Sequence, residues 1–308
     1  MSIDSAVLTN EEKISFALRS LYQRRGYAPF RMSKFEEYEL YMKNKDFLRS
    51  PQVITFTDTN GRLMALKPDV TLSIVRAWRP AADRVQRFYY DENVYRVSES
   101  SGAFREIRQA GVECLGANDD SAAEVLGLAM ESLGLIAGDW RLCVSLLGVV
   151  ERMLDALQLE NDARRGILRC MGEKNVHELK AVCDSTGVQP EETEKLVRLT
   201  LCTAGAKDAA EALAVIGCPE AALDEAKSLL GLLPDKKADC VSLDFSILGD
   251  MRYYNAVAFQ GYVRGVPSSV LSGGCYDRLL HRMGKPGRAI GFACYLDKLE
   301  RLEVSGRA

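Results

Sequence analysis

The stretch YRVSESSGAFREIRQAGVE (95–113) holds the residues best suited to chemistry. Arg96 closes an apolar run, a loop of Ser, Gly and acid follows, and a return run ends in Gln109 and Glu113. Two runs of alternating residues around such a loop predict a hairpin. Glu113 lies between Val112 and Cys114, so alternation puts its carboxylate on the face opposite those apolar neighbours. A carboxylate in that position can accept charge-assisted hydrogen bonds, whereas the loop, which has no Lys or Arg, offers little to an anion. Metal chemistry has weak support. The nine cysteines are scattered without a CxxC pair and the two histidines are His177 and His281, so zinc-ligand spacing is absent and no metal or cofactor is expected. The cysteines fall mostly in apolar runs such as LCVSLL and GFACYL, as reduced core residues do.

The elements that must position these residues are legible along the chain. Thr9 to Glu12 fits a capping box, with Ile14, Leu18, Leu21 and Tyr22 on one helical face and Gly26 as the stop. VITFTD (53–58) and RLMALK (62–67) flank Asn60-Gly61, a strong hairpin signal. Pro68 ends the second of these strands and opens a helix to about Arg79. Residues 85–97 and 104–116 read as strands, Asp119 and Asp120 as caps of a helix to about Leu135, and 140–147 as a strand. From about 149 to 237 the texture is Ala, Leu, Glu and Lys at helical spacing, broken at Gly187 to Pro190, Gly217 to Pro219 and Leu233-Pro234. That predicts four or five short helices. Strands return at 240–247, 256–263 and 289–295, the last running into a terminal helix. The expected class is α+β, an antiparallel sheet flanked by helices and interrupted by an α-helical module.

Composition excludes several functions. The chain has 308 residues, 47% hydrophobic and 27% charged, with a net charge of −3, so a large nucleic-acid footprint is not expected. No apolar run approaches a membrane span. The N-terminus lacks the basic and apolar regions of a signal peptide, which points to the cytoplasm.

Four segments, in order, resemble the histidyl-tRNA synthetase family of class II synthetases. They are GRLMALKPDVT (61–71), the opening hairpin with its GVE ending, GDMRYYNAVAF (249–259), and SGGCYDRLL with IGFACYLDKL (272–299). The resemblance covers about 9–147 and 240–300. It divides the chain into 1–148 and 239–308, the two parts of a class II synthetase-like core, and 149–238, an inserted helical module.

The departures from that family carry the functional expectation. The family holds ATP with cations at fixed places. Here Arg96 is kept, but Ser98 and Glu99 follow it and Ala103 follows Gly102. Gly249 stands where the family opens RGLDYY with Arg, and Asp297-Lys298 where it ends with acid and Arg. Preorganised donors stabilise developing charge on a leaving pyrophosphate. Each charge-assisted bond is worth roughly 1.5–3 kcal/mol, so losing three forfeits about 5–9 kcal/mol if they add, or about 10³–10⁶ in rate. The amino-acid side is kept better. The resemblance implies that Asp69 (one methylene shorter than the family's acid), Arg96, Gln109, Glu113, Tyr254 and Tyr276 meet a histidine. Ser33 replaces a proline in FRMSKFEEYELY (30–41), the family's dimer motif, so dimer geometry is expected to differ. The chain also stops soon after the last motif, where the family continues into an anticodon-binding domain.

Each position also has a plain structural explanation. Tyr253-Tyr254 could be strand aromatics, Gln109 and Glu113 solvent-facing, Gly273-Gly274 a tight turn, Asp69 a helix cap, and His177 and His281 structural or surface residues. Taken together, the pattern resembles the synthetase-like regulatory subunits of ATP phosphoribosyltransferase, non-catalytic paralogues that act in histidine biosynthesis. That resemblance implies a short catalytic subunit as partner in a hetero-octamer, a self-associated dimer, and free histidine as effector. Two alternatives stand beside it. One is a truncated class II enzyme that activates or ligates an amino acid, favoured by Arg96 and Lys298. The other is an amino-acid sensor with an unrelated partner.

Overall fold

The computed structural model describes residues 7–48, 52–80, 84–98, 101–118, 120–233, 235–248 and 253–299. Glu99, Asp119, Pro234 and Gly249 lie outside the described residues. In chain order the elements begin with helix α1 (Asn10–Arg24), strands β1 (Ala28–Pro29) and β2 (Phe35–Glu37), helix α2 (Tyr38–Lys43), and strands β3 (Thr55–Thr57) and β4 (Leu63–Leu66). Helix α3 (Val70–Ala77), strands β5 (Gln86–Val97) and β6 (Phe104–Ala117), helix α4 (Ser121–Ile136) and strand β7 (Trp140–Leu146) follow. Six helices come next: α5 (Leu147–Ala156), α6 (Asn161–Gly172), α7 (Val176–Ser185), α8 (Pro190–Thr200), α9 (Ala209–Ile216) and α10 (Glu220–Leu230). Strands β8 (Val241–Leu243), β9 (Asn255–Val263) and β10 (Leu271–Cys275), helix α11 (Asp277–Arg282) and strand β11 (Arg288–Tyr295) complete the set.

Eight strands form one sheet in the order β1-β5-β6-β11-β10-β9-β7-β8, and β2-β4-β3 form a small second sheet. The long hairpin β5–β6 dominates the large sheet, with Val97 opposite Phe104 and Gln86 opposite Leu115. Alternation sends Ala110, Val112 and Cys114 into the larger core, shared with α1, α4 and the helices of 147–230. The opposite face, with Tyr90, Val94 and Leu115, packs on α3, α11 and the small sheet. Helix α1 starts at the capping box expected, since Thr9 accepts from the Glu12 N–H and the Glu12 carboxylate accepts from the Thr9 N–H at 2.8 Å. The left-handed Gly26 (φ 82°) follows its last turn.

Several expectations need correction. The sheet is mixed, because its edge strands β1 and β8 run parallel to β5 and β7. Six helices, not four or five, span 147–230 among the described residues, because Gln158 and Lys174 take positive φ and break the helical run. The strand expected over 240–247 stops at Leu243, because the Asp244 side chain accepts from the Ser246 N–H at 2.9 Å and turns the chain. Asp120 makes no side-chain cap bond to α4. Instead Ser121 Oγ accepts from the Asn118 N–H at 3.0 Å and donates to Asn118 Oδ1 at 2.7 Å. Past β11 a single 3₁₀ turn (Leu296–Lys298) is described, and the terminal helix expected there falls largely on residues outside the description.

Gly273-Gly274 form no turn; they lie inside β10, between β9 and β11. A Cβ on Gly273 would meet Phe292 Cβ at 2.5 Å, and one on Gly274 would meet Tyr254 Cδ1 at 2.6 Å. The pair is small so that aromatic rings can lie against the strand.

Candidate functional site

Asp69, Arg96, Gln109, Glu113, Tyr254 and Tyr276 all line one cavity on the α3 face of the large sheet. Four routes bring them there, one of them the end of β5, which carries Arg96. Gln109, Gly111 and Glu113 share one face of β6 at the two-residue spacing of a strand. Asp69 and Thr71 arrive with the first turn of α3, and Tyr254 and Tyr276 flank the ends of β9 and β10.

Glu113 is at the centre and only 2% exposed. Its Oε1 accepts from Thr71 Oγ1 at 2.6 Å and its Oε2 accepts from the Tyr276 hydroxyl at 2.5 Å. The floor beneath it is Gly291 of β11, paired with Glu113 in register. A Cβ on Gly291 would lie 1.9 Å from Glu113 Oε2, so only glycine leaves room for the carboxylate. Burial pushes the Tyr276 phenol well above its usual range, and the Glu113 carboxylate beside it adds to the effect. Tyr90, which also faces the cavity, is raised by burial and then by Glu113. These hydroxyls therefore remain protonated donors beside a carboxylate.

Asp69 is indeed a helix cap. Its Oδ1 accepts from the Leu72 N–H at 2.9 Å, and its second oxygen has no partner among the described residues. It is 8% exposed and lines the cavity, so the two roles coexist. Gln109 is 3% exposed, which places it away from solvent. The side chains of Tyr253 and Tyr254 are not bystanders. Their ring centres are 4.7 Å apart, and Tyr253 lies 6.1 Å from Tyr276 and 6.1 Å from Phe47. This aromatic wall leaves a cavity of about 30 Å³, room for a water molecule or two.

Among the described residues lining the cavity, Arg96 is the one cation. Its Nε donates to the Pro68 carbonyl at 3.0 Å. Lys298 instead donates to the Ser269 carbonyl at 2.7 Å and sits 4.7 Å from the centre of the Tyr295 ring. Ala103 is exposed at the hairpin tip, where the Ser98 N–H donates to its carbonyl at 2.9 Å. His177 and His281 are exposed on α7 and α11. No cluster of three metal-ligating side chains occurs among the described residues.

Sequence reading missed Thr71, Tyr90, Ser272 and Tyr295 as cavity residues. Thr71 had a signal, because it lies two positions past Asp69 in the same segment. Tyr90 could have been found from its even spacing with Arg96 along the same strand. Ser272 and Tyr295, joined by a 2.6 Å hydrogen bond, depend on the β10–β11 pairing and had none.

A larger cleft of about 750 Å³ lies between α4, α5, α10 and the start of β9. Several of its charges are paired within the chain: Arg152 with Glu225, Glu151 with Arg278, and Asp277 with Asn255 and the Ala289 N–H. Size alone does not make it the site. The smaller cavity has the converging acceptors and donors.

Comparison with known proteins identifies the family and the fold. The family described as histidyl-tRNA synthetase matches residues 4–299. The ATP phosphoribosyltransferase regulatory subunit of Moorella thermoacetica is 32% identical over 302 residues, covering 92% of this chain and 77% of that protein. The histidine–tRNA ligase of Methanocaldococcus jannaschii is 29% identical over 290 residues, covering 92% of this chain and 69% of the ligase. Among solved structures, a chain of the ATP phosphoribosyl transferase (HisG:HisZ) complex from Thermotoga maritima superposes with a TM-score of 0.71 at 20% identity, covering 93% of this chain and 97% of that one.

Proposed function

This chain belongs to the histidyl-tRNA synthetase family, and from that premise we propose that it is a regulatory subunit of ATP phosphoribosyltransferase that binds free histidine and performs no adenylation itself. One observation carries the reading. The cavity is lined by two carboxylates, a carboxamide and protonated phenols, with Arg96 as its one described cation. That lining suits a zwitterion with an ammonium and an imidazole. It does not suit a triphosphate, whose charge needs several cations held in place.

In this reading Glu113 accepts from the imidazole, oriented by Thr71 and Tyr276 beneath it. Asp69 and Gln109 take the ammonium, and Arg96 faces the carboxylate. The name of the Moorella relative and the composition of the Thermotoga complex support a catalytic chain as partner. The transfer chemistry then belongs to that chain, and the pair works in the cytoplasm as a hetero-oligomer built on a dimer of this subunit, a hetero-octamer in the fullest form. Feedback by histidine is a coupling free energy between the pocket and the partner's site, typically about 1–3 kcal/mol.

Light scattering of this chain mixed with a short catalytic subunit from the same source tests the partnership. A larger species with raised transferase activity is expected, and two species that elute unchanged with no gain in activity would refute it. The similarity to the Methanocaldococcus ligase favours a second reading, an enzyme that activates histidine. Histidine-dependent ATP–pyrophosphate exchange by the purified chain, at rates within about tenfold of a true synthetase, would establish that reading instead.

A further inference from the structure

Lys67 is the anomaly near the site. Its side chain is 0% exposed, although lysine is almost never fully buried unless paired. It does not line the cavity. Its Nζ donates to Glu92 Oε2 at 2.8 Å, and Glu92 is 18% exposed. Two facts tie this pair to the pocket. Lys67 precedes Asp69 by two residues, and Glu92 of β5 stands directly opposite Gln109 of β6 on the same face of the sheet.

The backbone around Lys67 is strapped to β5 as well. The Tyr95 N–H donates to the Lys67 carbonyl at 2.9 Å, and Arg96 Nε donates to the Pro68 carbonyl at 3.0 Å. On the other side the Lys67 N–H donates to the Lys34 carbonyl at 3.0 Å. The segment 67–69 is therefore an irregular linker between β4 and α3 whose place over the sheet depends on a few polar bonds, and the buried ion pair is the one made by side chains on both sides.

We propose that the Lys67–Glu92 pair is a positioning device, which fixes Asp69 and Gln109 at the spacing that the ammonium of an amino acid requires. This rests on the histidine-pocket reading above. A buried ion pair is weak evidence for stability, since its desolvation cost offsets much of its attraction, but it specifies geometry where an apolar pair would slide. Lys67 touches no ligand. It acts through Asp69, whose carboxylate also caps α3. Glu113 accepts from Thr71 on the same turn as Asp69, but its bond to Tyr276 and its place on the Gly291 floor lie outside the segment that the pair holds. The two halves of the pocket are thus set by separate devices, and they respond separately to substitution.

Lys67→Met keeps the stem of the side chain and removes its charge, leaving Glu92 partly exposed and able to hydrate. Glu92→Gln keeps an acceptor for Lys67 but leaves its buried ammonium without a counter-charge, and it is the second variant if Lys67→Met fails to fold by circular dichroism. The first measurement needs no ligand. Amide hydrogen exchange at Leu72, whose N–H is held by Asp69, is expected to quicken by roughly tenfold or more in Lys67→Met, with α4 amides unchanged. Unchanged exchange at Leu72 overturns the proposal.

The second measurement is calorimetry with histidine and with 3-(imidazol-4-yl)propionate, which lacks the amine. Histidine affinity is expected to fall about tenfold or more, while the analogue changes less than about twofold. Equal losses for both ligands, or no loss for either, overturn the proposal, because a general loosening of the fold would not distinguish an amine. If the unsubstituted chain binds neither ligand, the histidine-pocket reading fails, and Leu72 exchange alone still decides the role of Lys67.

Discussion

Glu113 of β6 and Tyr276, the residue before α11, are 163 positions apart in the chain and joined by a 2.5 Å hydrogen bond. That bond closes the pocket from beneath, because it links the long hairpin to the segment after β10 across the Gly291 floor. It also separates two consequences of substitution. Glu113→Ala strands two buried hydroxyls, Thr71 and Tyr276, at a cost of about 1–3 kcal/mol each. Glu113→Gln keeps an acceptor for Thr71 and a group that can donate to Tyr276. We expect Glu113→Gln to unfold within about 1 kcal/mol of the parent yet bind histidine about tenfold more weakly, and Glu113→Ala to lose both stability and binding. Urea unfolding and calorimetry on the two variants check this. Equal stability of both would mean the hydroxyls find other partners.

Ala256 carries a second prediction. It holds φ 57° at a bulge in β9, where the register against β10 slips between Gly274 and Cys275. A left-handed conformation costs a residue with a Cβ roughly 1–2 kcal/mol, partly offset in glycine by its greater freedom when unfolded. Ala256→Gly should therefore raise stability by about 0.5–1 kcal/mol, seen as a higher urea midpoint at unchanged slope. A lower midpoint would show that the alanine methyl contributes packing that outweighs the strain.

Acid sensitivity follows from Glu124 on α4. Arg87 donates to both of its oxygens, at 2.8 and 2.6 Å, and Tyr27 donates at 3.0 Å. The hydrogen bonds from Arg87 hold its carboxyl below the ordinary 4.5, against the opposing effect of partial burial. Because the folded value is depressed, the stabilisation is fully present above the unfolded value and is lost as pH falls through the folded one. The stability gap between the parent and Glu124→Gln should be flat above about pH 5 and narrow on acidification. A gap that widens in acid would reverse the sign of this assignment.

What the sequence revealed, and what it concealed, divides by range. The capping box at Thr9 and Glu12 and the β5–β6 hairpin were legible almost to the residue, because each is decided by neighbours within a few positions. The six pocket residues were reachable through the order of the family segments, and the structure brings all six to one cavity. Gly273-Gly274 misled because glycine signals a turn locally, while the reason for it here, rings from Tyr254 and Phe259 pressed on the strand, is tertiary. The parallel edges β1 and β8 are two and three residues long and exist only by pairing with distant strands. Lys67 concealed its role for the opposite reason, since nothing local distinguishes a buried lysine from a solvated one.

The role proposed for this pocket is that of a regulator's effector site. It is tested most directly by histidine inhibition of the assembled transferase, with the parent chain and with Glu113→Gln. Both chains are expected to activate the catalytic subunit equally, with the half-inhibiting histidine concentration about tenfold or more higher for Glu113→Gln. The same inhibition curve with both chains would contradict it and place the effector outside the pocket.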